Sequence, residues 1–201
     1  MPKRVDVFYS LVSPWTYLGW SRFRAIAKRH GAEAQYKPVD LGKIFPQSGG
    51  LPLAKRPRQR QDYRMMELKR WRDFLDLPLN LSPKFFPANE NLAARMVVAC
   101  RLEGNSEGAG ALSGAILKAV WTEDRNIADE TVLMAIADQL SLNGKTLRKL
   151  ADNEHVAKTY DADTEEANRR GVFGVPSFLV GDEIFWGQDR LDFLDRALAK
   201  G

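Results

Sequence analysis

Val5-Asp6-Val7-Phe8-Tyr9, followed after Ser10-Leu11-Val12 by Ser13-Pro14-Trp15-Thr16, is the stretch on which the fold turns. The first run is rich in β-branched and aromatic residues and is bounded by polar ones, the composition of a short buried strand. Pro14 cannot continue a strand, but its fixed φ suits the first turn of a helix, and a Ser just before it is a preferred N-cap. Apolar or small residues recur at Trp15, Leu18, Gly19, Phe23, Ile26 and Ala27, which is helical spacing, and Gly31 stands where such a helix would stop. Ser13 is therefore expected at a strand-to-helix junction, at the positive end of the helix dipole, where an anion such as a thiolate is stabilised. Capping alone would account for the same serine.

A second extended segment, Ala34 to Val39, completes strand, helix and strand, a βαβ unit with parallel strands and a right-handed crossover. The pattern then changes. Gly49, Gly50 and Pro52 mark a loop, and from about Gln61 to Arg170 the chain reads as helix. Stripes run through Met65, Leu68, Trp71 and Leu75, then Leu112, Ala115, Ile116 and Ala119, then Val132, Leu133, Ile136, Ala137 and Leu140. Such stripes are core positions. Asn89 reads as the N-cap of the helix holding Cys100, and Asn143-Gly144 as the end of the helix before it in the chain. The sheet pattern returns with Ser177-Phe178-Leu179-Val180, a Gly181-Asp182 turn and Glu183-Ile184-Phe185-Trp186, a hairpin. A last helix carries Leu191, Leu194 and Leu198. The order is α/β: a βαβ…ββα sheet domain (1–42 and 171–201) interrupted by an all-helical insertion (43–170).

The 201 residues, 44% apolar, are enough for one full core with a large insertion. No run approaches the ~20 apolar residues of a membrane span. A strand begins almost at once, so no secretory leader is expected, and a single cysteine suits a reducing cytoplasm. Cys100 lies in a small-residue helix as a core thiol and cannot form an intrachain disulfide. His30 and His155 are far apart, without metal-ligand spacing, so no metal is expected. The net charge is +4, with the basic excess between Lys55 and Arg72. That cluster is either a solvated helix face or an attractor for a carboxylate-bearing small molecule. Neither aromatic stacking platforms nor a reading motif points to nucleic acid.

Taken together, this order resembles the thioredoxin fold with a helical insertion, as in bacterial disulfide-forming oxidoreductases. Where those have Cys-x-x-Cys, this chain has Ser13-Pro14-Trp15-Thr16, which excludes dithiol chemistry. The glutathione-dependent branch matches nearly end to end: 2-hydroxychromene-2-carboxylate isomerases and kappa-class glutathione transferases. The likeness lies in Phe8-Tyr9 with Ser13 to Gly19, Gly50-Leu51-Pro52, Tyr63 to Trp71, Phe86-Pro87-Ala88-Asn89, Gly174 to Phe178, and Trp186 to Leu191.

The resemblance implies glutathione as cofactor, with Ser13 hydrogen-bonded to its sulfur and Trp15 beside it. It implies a cis bond at Val175-Pro176 that leaves the Val175 backbone free for the peptide. Gln188 and Asp189 match the pair that receives the γ-glutamyl group. Arg60 falls where the family has a lysine facing a carboxylate, with Arg58 as the other candidate. Gly50 departs from an asparagine common in relatives. Tyr36, Lys84 and Phe85 are expected as walls for an aromatic substrate. The implied activity is a glutathione-dependent isomerase in a possible homodimer. The alternatives are a kappa-like transferase and a non-catalytic module that holds an extended peptide at Val175.

Overall fold

The computed structural model describes residues 3–200. β1 (Arg4–Tyr9), α1 (Pro14–Arg29) and β2 (Glu33–Pro38) form the expected parallel unit, in register from Arg4 opposite Glu33 to Tyr9 opposite Pro38. Seven helices follow: α2 (Leu41–Ser48), α3 (Arg58–Leu75), α4 (Asn91–Leu102), α5 (Ser106–Trp121), α6 (Glu130–Gln139), α7 (Gly144–Leu150) and α8 (Glu154–Arg169). The chain closes with β3 (Ser177–Val180), β4 (Glu183–Trp186) and α9 (Leu191–Lys200). The sheet order is β2-β1-β3-β4, with β3 antiparallel to β1 and β4 antiparallel to β3.

β1 is buried from Val5 to Tyr9 because both faces of the sheet are covered, which is why its apolar run hardly alternates. On one face Tyr9, Trp20, Phe23, Tyr36 and Phe178 form an aromatic cluster under α1 and α5, with Trp20 4.7 Å from Tyr9 and Phe23 4.8 Å from Phe178, ring to ring. Burying rings of this size stabilises the fold by about 1.5–3 kcal/mol each. On the other face Phe8, Val39, Ile44, Ala167, Val172 and Leu179 form a smaller cluster. Beside it Asp6 accepts from Lys37 at 3.0 Å and from Arg170 at 2.6 Å, and Lys37 also reaches Glu166.

Between β2 and the Gly49–Gly50 turn the chain forms α2, which Asp40 caps by accepting the Gly42 N–H at 2.7 Å. Two local expectations are corrected. Asn143 does not end a helix. It opens α7, its side chain taking the Thr146 N–H at 2.8 Å. Glu90, not Asn89, is the residue at the start of α4, although the Asn89 side chain still takes the Asn91 N–H.

Candidate active site

Pairing of β1 with β3 builds the site. Phe8 lies opposite Ser177, so the turn just before β3 runs alongside the end of β1, where the chain leaves for α1. That turn is Val175–Pro176, and its peptide bond is cis. Ser13 ends the β1–α1 loop in extended backbone geometry and caps α1, its Oγ accepting the Thr16 N–H at 3.2 Å. It is 8% exposed, so the hydroxyl sits at the lip of the core. The first turn of α1 carries no acidic residue and the last carries Lys28 and Arg29, leaving the positive end of the dipole uncompensated. Buried Thr16, one turn on, has a hydroxyl without a partner among the described residues. Val175 is half-buried, and no backbone hydrogen bond joins it to another described residue.

The basic segment contributes to the same end of the molecule. α5 runs with β2, since Ser106 bonds Ala34 and Gly110 abuts Tyr36. Trp121, at the far end of α5, therefore lies toward the edge where β1 and β2 end. Phe86 packs on Trp121 at 5.0 Å, and the Arg64 guanidinium lies 5.7 Å from the Phe86 ring. Arg64 also lines a cavity of about 280 Å³ with Leu53, Gln61, Met65 and the ion-paired Arg58 and Asp62. Burial and the neighbouring Arg56 push its pKa down to about 10, so it stays charged at neutral pH. Arg56 is lowered by burial and by Arg60. None of Arg56, Arg60 and Arg64 forms an ion pair among the described residues. Mutually repelling cations without a carboxylate partner fit a ligand that carries carboxylates.

The remaining expected residues are distributed unevenly. Trp15 is half-buried and packed against the core. Arg60 is exposed, and Arg58 is exposed and held by Asp62 at 3.0 Å; the inward-turned cation of α3 is Arg64, which the sequence reading missed. The Gln188 side chain is 2% exposed and engaged by Arg22, whose guanidinium also reaches the Gln188 carbonyl at 3.1 Å. In the free protein the Gln188 side chain is thus engaged with α1 through Arg22. Asp189 is exposed beside it, paired with Arg190 at 2.7 Å.

Tyr36 is a correction. It is 3% exposed, its ring packed edge-on against Phe23, and a side chain on Gly110 would stand 2.6 Å from its hydroxyl. It is core, not the wall of a substrate cleft. Lys84 lies over the Phe85 ring in a segment bonded to Asp124, and neither forms a hydrogen bond or ring contact with Ser13. At Gly50 an added Cβ would run into the Phe45 ring. Among the described residues no cluster of His, Cys, Asp or Glu could hold a metal.

With this geometry in place, comparison with known proteins is decisive for the family. The model of the DSBA-like thioredoxin domain matches residues 4–199. The chain belongs to that family. Within the DSBA-like thioredoxin domains, the chain is 29% identical to a 2-hydroxychromene-2-carboxylate isomerase of Pseudomonas putida, over 98% of this chain and 94% of that protein. It is 24% identical to human glutathione S-transferase kappa 1, over 100% of this chain and 92% of the transferase. A solved structure of selenomethionyl 2-hydroxychromene-2-carboxylate isomerase superposes with a TM-score of 0.81 at 29% identity, covering 98% of this chain and 95% of that one. The expected α/β architecture with a helical block between the sheet halves is the architecture of this DSBA-like domain. No helix of the described residues is long and apolar enough to cross a membrane.

Proposed function

We propose that this chain is a glutathione-dependent isomerase acting on a conjugated aromatic carboxylate of the 2-hydroxychromene-2-carboxylate kind. The observation that carries this reading is the Ser13 hydroxyl capping α1 at the edge where the Val175–Pro176 turn arrives, in a chain whose single cysteine is buried in α4. A helix end suited to an anionic sulfur, without a sulfur of its own, must borrow one. The relatives named as isomerases support the reaction class, and the kappa-class name supports glutathione.

Bound glutathione would supply the thiol that adds reversibly to the conjugated system of the substrate. Ser13 donates its hydroxyl proton toward that sulfur while its Oγ keeps the Thr16 N–H, and the helix terminus favours the charged form further. This is electrostatic preorganisation, not attack by serine. The Val175 backbone pairs with the tripeptide in the manner of an added strand. Arg64, with Arg56 and Arg60, receives carboxylate, and Asp189 receives the ammonium group. A reducing cytoplasm, where glutathione is kept as thiol, suits this chemistry. Exposed Tyr63, Met66 and Phe74 on α3 suit a homodimer, which light scattering would test.

The test is product analysis with 2-hydroxychromene-2-carboxylate and glutathione. An isomerase converts the substrate while glutathione is conserved. Accumulation of a thioether instead favours the transferase reading that the kappa-class relative suggests. Equal turnover without glutathione overturns both.

A further inference from the structure

The β1–α1 loop that presents Ser13 is held from outside by a carboxylate with no part in the contacts above. Glu90 precedes α4, in the helical block of the chain. One of its oxygens accepts from Ser10 Oγ at 2.7 Å and the other from the Leu11 N–H. Ser10 and Leu11 are both fully buried, so the half-buried Glu90 turns its carboxylate under the surface. Ser10 passes the constraint on. Its Oγ accepts from the Val12 N–H at 3.3 Å and its carbonyl accepts from the Ser13 N–H at 3.2 Å.

No cation compensates this carboxylate. Among the described residues Glu90 has no ion pair, and Arg95, one turn along α4, keeps its buried Nε without a partner. From the other packed elements the neighbouring groups are Asp40 at the start of α2 and Tyr160 on α8; next to Tyr160 lie Arg95 and Asp161, and Asp161 is paired with Lys43 of α2 at 2.7 Å. The loop donors are the only groups hydrogen-bonded to the Glu90 carboxylate among the described residues.

We propose that Glu90 is a positioning residue and a proton-sensitive latch, which when ionised fixes the Ser10–Ser13 loop and when protonated loosens it. The consequence for catalysis rests on the glutathione reading, since it is the orientation of the Ser13 hydroxyl that the latch controls. The chemistry is direct. An ionised carboxylate accepts from Ser10 and Leu11 together. Protonated on the oxygen facing Ser10, Glu90 becomes a donor there. Ser10 Oγ then receives hydrogens from both Glu90 and Val12, and its own proton loses its acceptor. Burial pushes the Glu90 carboxyl up, the bonds from Ser10 and Leu11 and the nearby Val12 N–H oppose it, and Asp40 adds to the rise, leaving the pKa at about 7. A loop that withdraws its donors while the carboxyl stays buried raises that pKa further, so protonation favours the loosened loop and the latch changes state around neutral pH.

The test is amide hydrogen exchange at Leu11, Val12 and Ser13 in the free protein from pH 5 to 9, corrected for intrinsic rates, beside calorimetric titration with glutathione over the same range. In the wild-type protein, protection of these amides should fall on the order of tenfold as the pH drops through neutrality, as expected for loss of charge-assisted hydrogen bonds. Glu90→Gln, which cannot titrate, should show no such step. Ser10→Ala removes a donor that favours the anion and should move the midpoint to higher pH. Glutathione affinity should share the step in the wild-type protein and lack it in Glu90→Gln. Superimposable exchange profiles for wild type and Glu90→Gln overturn the latch. So does an unchanged midpoint in Ser10→Ala, a measurement that holds even if the Gln variant fails to fold. A loop step without glutathione binding at any pH leaves the latch standing and removes the glutathione reading instead.

Discussion

Ser13 combines a small exposure with a backbone donor already bound to its oxygen, so its proton is directed by whatever acceptor approaches the helix end. Ser13→Ala should lower turnover ~10-fold or more at saturating glutathione while leaving glutathione binding mostly intact, because the lost bond strengthens as the sulfur gains charge. Steady-state kinetics beside calorimetry separates the two effects. Unchanged turnover would refute its role. Arg64 makes the complementary case. As a half-buried cation without a carboxylate partner, it costs desolvation in the free protein and recovers it when an anion binds. Arg64→Met should weaken glutathione binding about tenfold, near the value of one charge-assisted hydrogen bond, with a melting temperature no lower than wild type. A lower melting temperature with normal binding would make Arg64 a packing residue. The resemblance pointed to Arg60, with Arg58 as the other candidate, because a matched position says nothing about which side of α3 faces inward. That is set by Phe86, which approaches from a different part of the chain.

At the level of elements, local chemistry was legible wherever it acted within a few residues. The Ser13-Pro14 start of α1, the Gly181-Asp182 hairpin and the Leu191–Leu194–Leu198 stripe of α9 all stand as read. Asn143 was misread because Asn-Gly suits both the end of one helix and the start of the next, and the side chain decides for the start by taking the Thr146 N–H. Asn143→Ala should therefore destabilise the protein by about 1 kcal/mol, read from the urea midpoint. Tyr36 failed for a different reason. An aromatic residue on a strand looks the same in sequence whether it meets a cleft or a notch in a helix, and here Gly110 on α5 supplies the notch. Gly110→Val should drive that ring out of place and cost about 1–3 kcal/mol, again by urea unfolding. Stability equal to wild type would mean α5 has room to move.

Across the whole molecule, two carboxylates, Asp6 and Glu90, carry opposite pH dependences. Burial pushes the Asp6 carboxyl upward, but bonds from Arg170, Arg4 and Lys37 outweigh it and hold the pKa at about 2. A depressed carboxylate stabilises the fold above its ordinary pKa near 4 and loses that contribution as the pH falls toward 2, roughly 2 kcal/mol in all. Asp6→Asn should cost about 3 kcal/mol at pH 7, where it leaves Lys37 and Arg170 sharing Glu166 as their remaining carboxylate, and progressively less below pH 4 in urea titrations. Glu90 has the reverse sign. Its raised pKa means the folded protein holds a proton that the unfolded chain has released, so its contribution is present below about 4.5 and lost as the pH rises through about 7. By itself the sequence determined the strand and helix order, the serine at a helix start, the absence of a redox cysteine pair and the family, because those depend on periodicity, caps and composition read locally along the chain. Only the tertiary structure decided that Arg64 turns inward, that Tyr36 and Gln188 are taken up by the fold, and that Glu90 reaches across to Ser10. Each of these depends on which side chain arrives from a distant segment, and packing of whole elements against the sheet sets that.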